Sequence, residues 1–242
     1  MPHTPPPASH HNHLGQPIGG PVEGWTPSVS PARTAMAGRY CRLEPLNVAH
    51  HAEDLIAACA GDVEGRMWTY LPYGPFESPA AHRAWLADAA AAPDQSFFAI
   101  LDVATGRAVG VAAYIRDDPR HGVIEVGHLA YSPLLQRTPA STEAMYLMMR
   151  RVFEECGYRR YEWKCNSHNA PSWDAAERLG FKFEGIFRQL QVVKGHNRDT
   201  TWLSILDSEW PALRAAFEAW LHPSNFDAEG QQRRRLEDFR TG

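Results

Sequence analysis

Residues 123–166 constrain the fold more than any other stretch of the chain. The run Val123-Ile124-Glu125-Val126-Gly127-His128-Leu129-Ala130-Tyr131 has the composition and alternation of a strand. The clearest helical pattern in the sequence follows, over 142–157. There Met145, Met148, Met149, Val152, Phe153 and Cys156 recur at i, i+3, i+4, i+7, i+8 and i+11, and Gly157 closes the end. A second strand, 160–166, comes directly afterwards. Strand, helix and strand at this spacing form a crossover whose two strands are parallel neighbours. Such units bind ligands beyond the carboxyl ends of their strands, where the chain turns into the helix.

The rest of the chain extends this unit into an α/β domain. A strand is expected at 40–46, helices at 48–60 and 79–92, and a hairpin of strands at 96–102 and 107–116. After the crossover come a helix at 169–179 closed by Gly180, strands at 181–192 and 198–206, and a helix near 208–221. Together they predict a mixed, twisted sheet of about seven strands with helices on both faces. The domain is expected to span 37–222. Residues 1–36 are rich in Pro, Gly and His and read as a disordered or extended arm on the surface. Residues 223–242 read as a charged, solvated tail.

Composition narrows the function classes. With 44% hydrophobic and 11% aromatic residues in 242, the chain can bury a real core. A net charge of −4 gives no global field for nucleic acid. No run of about eighteen apolar residues is available to span a membrane. The N-terminus lacks an apolar signal core, so a cytoplasmic location is expected. Cys41, Cys59, Cys156 and Cys165 form no C-x-x-C pair and read as reduced thiols. His3, His10, His11 and His13 lie in the arm, where ligands would not be held in fixed geometry, so no metal is expected.

The turn leading into the strongest helix is Ser132-Pro133-Leu134-Leu135-Gln136-Arg137-Thr138-Pro139-Ala140-Ser141-Thr142-Glu143. Free N–H groups at a helix start, two hydroxyls and Arg137 would suit a pyrophosphate. An ordinary cap by Ser141 or Thr142 explains the same residues.

These residues resemble motif A of the GNAT superfamily of N-acetyltransferases: a strand, a Ser-Pro turn, Gln-Arg, and an amphipathic helix closed by Gly. Asn169-Ala170-Pro171-Ser172, with Leu179-Gly180-Phe181 downstream, is similar to that superfamily's second signature. The chain looks most like the group that includes the ribosomal-protein N-terminal acetyltransferases. Its Trp68–Phe76 loop resembles that of the acetyltransferases that detoxify microcin C. One position departs from the pattern. Pro139 stands where the family's phosphate loop has Gly, and it has no N–H to give.

The resemblance implies direct acetyl transfer from acetyl-CoA to a primary amine on a small molecule, an aminoacyl-nucleotide or a protein N-terminus. Acetyl-CoA is then a co-substrate, held by Leu129, Ala130, Tyr131, Gln136, Arg137, Thr138, Ala140, Ser141, Thr142 and Asn169. Glu125 is the candidate base, on one face with Gly127 and Leu129, and its other reading is a structural carboxylate paired with Arg116. Gly127 marks either a bulge that splays the parallel strands or a plain strand glycine. His128 is expected on the opposite face, as a packed residue. Ser172 is the candidate acid or thiolate donor. Trp68, Tyr70, Tyr73 and Phe76 either wall the acceptor or cover the sheet edge. The competing reading is a GNAT fold without catalysis, serving as a binding module, which Pro139 favours. A homodimer is allowed by apolar positions on 208–221.

Overall fold

In the computed structural model, residues 10–240 are described. Among them, eight strands form one sheet. The elements in chain order are β1 (Met36–Ala37), β2 (Cys41–Pro45), α1 (Val48–Cys59), α2 (Pro79–Ala91), β3 (Ser96–Asp102), β4 (Ala108–Asp118), β5 (Val123–Tyr131), α3 (Pro139–Arg150), β6 (Arg160–Asn166), α4 (Ala170–Leu179), β7 (Lys182–Val193), β8 (His196–Leu206) and α5 (Trp210–Trp220). Their order across the sheet is β1-β2-β3-β4-β5-β6-β8-β7. Neighbours are antiparallel except β5 and β6, the pair that the crossover predicts to be parallel. The two-residue β1 brings the sheet to eight strands instead of seven.

Alternation on the strands feeds two cores, one on each face. Phe98, Ile100, Ile124, Val126, Tyr161 and Trp163 pack toward α3, α4 and α5. Phe97, Ala99, Leu101, Val111 and Ala113 pack toward α1 and α2. On α3, Met145, Leu147, Met148 and Met149 are each at most 2% exposed. Burying side chains of this kind contributes roughly 1.5–3 kcal/mol apiece, so packing rather than propensity holds this helix. It begins at Pro139, one turn before the expected start, and ends in a single π turn over Arg151–Glu155.

Two buried charges of α3 pin the chain that leads into the sheet. The Glu143 carboxylate accepts N–H bonds from Arg39 (2.8 Å), Tyr40 (2.6 Å) and Cys41 (2.8 Å). The Arg151 guanidinium donates to the carbonyls of Ala32, Thr34 and Ala35. Residues 10–36 run largely extended over the surface, tied by Ser28 N–H to Pro119 O (2.9 Å) and Arg33 Nη2 to Gln95 O (2.9 Å). His3 lies outside the described residues.

The charged stretch 231–238, expected to be solvated, folds back instead. Leu236 is 1% exposed within the α3–α5 core, and Arg240 Nη1 donates to Glu177 O at 3.1 Å. Apolar residues spaced among the arginines supply the contact. No helix among the described residues is long and apolar enough to cross a membrane.

Candidate active site

The parallel ladder is short. It pairs Val123–Val126 with Arg160–Trp163, yet β5 continues to Tyr131 and β6 to Asn166. Beyond Val126 the two strands separate. The cause lies on the other edge of β5, where His128 and Leu129 together face only Ala112 across from β4. His128 takes up this bulge at φ 52°, a left-handed conformation uncommon outside glycine. Gly127 leaves room for the Ile115 side chain. A Cβ there would lie 2.4 Å from Ile115 Cδ1.

The bulge also shifts the phase of the strand. Leu129 and Tyr131 pack toward the α3 side and Ala130 toward α1 and α2. The expectation that Glu125, Gly127 and Leu129 share a face therefore fails at Leu129. His128 was expected opposite Glu125, yet it shares that face and stacks against Tyr73 and Phe97, with centroids at 5.6 and 4.8 Å. Burial lowers its pKa to about 4, so it is neutral at pH 7.

A cavity of about 1880 Å³ fills the gap, and the starts of α3 and α4 both open onto it. At α3, the fully buried Leu135 anchors the turn and Arg137 reverses it at φ 61°. The cap is Thr138, not Ser141 or Thr142. Its Oγ1 accepts from Ser141 N–H at 3.2 Å and donates to Leu135 O at 2.7 Å, while Ser141 Oγ donates to Thr138 O at 2.7 Å. Pro139 is the first helical residue, a position whose N–H has no intrahelical acceptor in any helix. Gln136 Nε2 occupies the Tyr131 carbonyl at 2.7 Å. Thr142 is 3% exposed, and its hydroxyl accepts from Arg178 Nη1 at 3.0 Å. Leu129, Tyr131, Gln136, Arg137, Thr138, Ser141 and Thr142 border the cavity, whereas the side chains of Ala130 and Ala140 are packed away.

Glu125 sits in the cavity wall, 5% exposed, but not alone. Lys164 Nζ donates to it at 2.8 Å, pairs with Glu162 at 2.7 Å, and lies 3.9 Å above the Trp202 ring. Arg116 Nε is farther away, at 3.4 Å. Burial raises the Glu125 pKa, Glu162 adds to the rise, and Lys164 and Arg116 moderate it without cancelling it. The carboxyl group is thereby moved toward the range of a useful base.

At the other wall, Asn169 caps α4 by accepting from Ser172 N–H at 3.3 Å. Ser172 Oγ accepts from Trp163 Nε1 at 3.0 Å, and its hydroxyl also lies within hydrogen-bond reach of the Cys165 thiol. Both residues border the cavity, so the two N-terminal helix signatures converge on one space.

The aromatic loop divides. Trp68 is 4% exposed and packs edge-on to Tyr73 and Phe76, with centroids at 6.1 and 5.2 Å. Phe76 stacks on His82 at 4.4 Å, and Tyr73 lies 4.1 Å from Trp85. These three belong to the α1–α2 core and none borders the cavity, so the expectation that they wall it fails for them. Tyr70 does border it, with its hydroxyl on His168 O at 2.9 Å. Sequence reasoning missed Lys164, Arg178 and Arg198, cations that the fold turns inward and that nothing local distinguishes from surface residues. Among the described residues no cluster of three or more His, Cys, Asp or Glu side chains could hold a metal.

The family model described as "Acetyltransferase (GNAT) domain" matches residues 41–182. A GCN5-related N-acetyltransferase from Brucella melitensis is 50% identical, covering 90% of this chain and 99% of its own, with a TM-score of 0.88. A probable acetyltransferase of the GNAT family from Chromobacterium violaceum is 40% identical over 86% of this chain and 100% of its own, with a TM-score of 0.76. The Microcin C7 self immunity acetyltransferase MccE, solved in complex with acetyl-CoA and AMP, shares the fold at 16% identity. It covers 70% of this chain and 93% of its own, with a TM-score of 0.61. No curated protein matches the sequence.

Proposed function

The chain belongs to the GNAT family of acetyltransferases, and on that premise we propose that it moves an acetyl group from acetyl-CoA directly to a primary amine. The observation that carries this reading is the gap between β5 and β6, which leads to the start of α3. An extended thioester donor fits a cavity of that size, and the pyrophosphate suits the helix start around Ala140 and Ser141, beside Arg137. The donor supplies an activated acyl carbon and a thiolate leaving group. The chain's own residues handle the protons. A C–S bond breaks and a C–N bond forms, so the ammonium must lose two protons, one before attack and one as the amide forms, while the sulfur gains one. Glu125, or a water it orients, takes the first, and the second replaces the proton that the Ser172 hydroxyl passes to the leaving sulfur.

Pro139 withholds one amide from a phosphate but takes nothing from the helix that it begins. At the first helical residue, glycine would offer an N–H that the helix itself cannot use, while proline presets the helical φ. The Ala140 amide and Arg137 remain as donors to an anion, because Thr138 engages both the amide and the hydroxyl of Ser141.

Calorimetric titration of acetyl-CoA into the protein and into Ser141→Glu tests the reading. Binding in the roughly micromolar range, weakened at least about tenfold by the added charge, is expected. No binding, or equal binding to a folded Ser141→Glu variant, would sink the proposal.

A further inference from the structure

Two residues of β8 face the cavity with polar atoms that the fold leaves without partners. Thr200 is 1% exposed, and its Oγ1 makes no hydrogen bond. Arg198 Nε is also buried and unbonded, and no ion pair holds the guanidinium among the described residues. Its charged neighbours are Glu125 and Arg116. Glu125 is already committed, because Lys164 bonds it at 2.8 Å and Arg116 lies 3.4 Å from it. Buried polar groups are almost always satisfied, so an N–H of half-buried Arg198 and a buried hydroxyl, both unbonded on one wall, point to a missing acceptor. An Arg fork beside a hydroxyl matches the acceptor geometry of a carboxylate or phosphate.

We infer that the acceptor amine carries an anionic group, a carboxylate or a phosphate, that docks on Arg198 and Thr200 while its nitrogen lies toward Glu125. The inference rests on the acetyl-transfer reading for the identity of the amine. It selects zwitterionic acceptors, such as amino acids or aminoalkyl phosphates, over polyamines and over peptide N-termini followed by neutral residues. With Lys164 paired to Glu125 and Glu162, Arg116 and Arg198 leave this end of the cavity net positive, which disfavours a polycationic substrate.

The test starts from protein saturated with CoA, so that the donor's own phosphate positions are filled. Inorganic phosphate and acetate are titrated separately into the parent, Arg198→Gln and Thr200→Val. At least one anion should bind the parent in the roughly millimolar range and weaken about tenfold or more in Arg198→Gln. Which anion binds identifies the docking group. A turnover arm compares an amino acid with its amide, and aminoethyl phosphate with aminoethanol. The anionic member should have the lower KM, and Arg198→Gln should erase that preference with a smaller change in kcat. Absence of saturable anion binding in the CoA-loaded parent, or binding unchanged in Arg198→Gln, overturns the inference. Failure of CoA to saturate the protein would count against the acetyl-transfer reading instead. Phosphate binding compared between the parent and Arg198→Gln would then still decide the anion site.

Discussion

Replacing Lys164 with Met tests the electrostatic arrangement around the candidate base. Lys164 has a side chain 5% exposed, with one ammonium bonded to two carboxylates. Taking one partner from a buried pair costs roughly 3–5 kcal/mol, because the remaining charge is stranded. Glu162 keeps Arg160 at 2.7 Å, but Glu125 is left with Arg116 at 3.4 Å. The stranded Glu125 can limit the damage by taking a proton. From an ordinary glutamate value to pH 7 that costs about 2.5 pKa units, or about 3 kcal/mol, whereas at pH 5 it costs less than about 1 kcal/mol. The folded-state pKa in the variant is raised further above the unfolded value, so stability is lost as pH climbs from about 4.5 toward neutrality. Urea unfolding of Lys164→Met should therefore show a deficit of about 3 kcal/mol at pH 7 that shrinks at pH 5. Glu125→Gln in the same chain should recover at least about half of it. In turnover, the acid limb of the kcat/KM profile should move to higher pH. A deficit below about 1 kcal/mol at pH 7, or an equal deficit at both pH values, would refute the argument.

Three further outcomes follow from the structure. Glu143→Ala strips the acceptor from three N–H donors at the start of β2 and should destabilise the protein by at least about 3 kcal/mol in urea. Burial lowers the His82 pKa to about 4, so the unfolded chain takes up its proton first as pH falls below about 6.5. That linkage removes about 2 kcal/mol of stability by pH 5, and His82→Phe, measured against the parent at pH 7 and 5, should abolish this part of the loss. Leu236→Ala should lower stability by roughly 2–4 kcal/mol, and a change within about 0.5 kcal/mol would mean that the C-terminal segment is only loosely applied.

Regular elements were legible because burial imposes a period on them. The methionine stripe of α3 and the crossover it serves could be read directly, and so could the succession of strands along the chain. What escaped was decided by contacts remote in sequence. The bulge at His128 depends on how β5 aligns with β4, and nothing in Gly127-His128-Leu129 signals a left-handed histidine. The loop aromatics could be read as walling an acceptor or as covering the sheet edge, because Pro72 and Pro75 keep the loop irregular, and His82 and Trp85 from α2 pack on Trp68, Tyr73 and Phe76. Lys164 alternates along β6 as a solvent-facing residue would. Its face becomes an interior wall only because β8 brings Trp202 beneath it.

The site therefore occupies the place where local and global order disagree. A regular β5 would continue its ladder with β6 to Asn166 and leave no gap. The bulge at His128 turns Leu129 and Tyr131 away from the Glu125 face, and Gln136 engages the carbonyl of Tyr131 rather than leaving it to a neighbouring strand. Thr138 then satisfies the one amide of the α3 start that would compete for its own cap, and Pro139 occupies the position where an amide is dispensable. The same economy governs the departure from the family's phosphate loop. Proline is tolerated at that point of the turn because the helix begins there, and a proline one residue later would remove the Ala140 N–H that remains available to an anion. The irregularities that sequence patterns could not supply are the ones that open the cavity and set its donors.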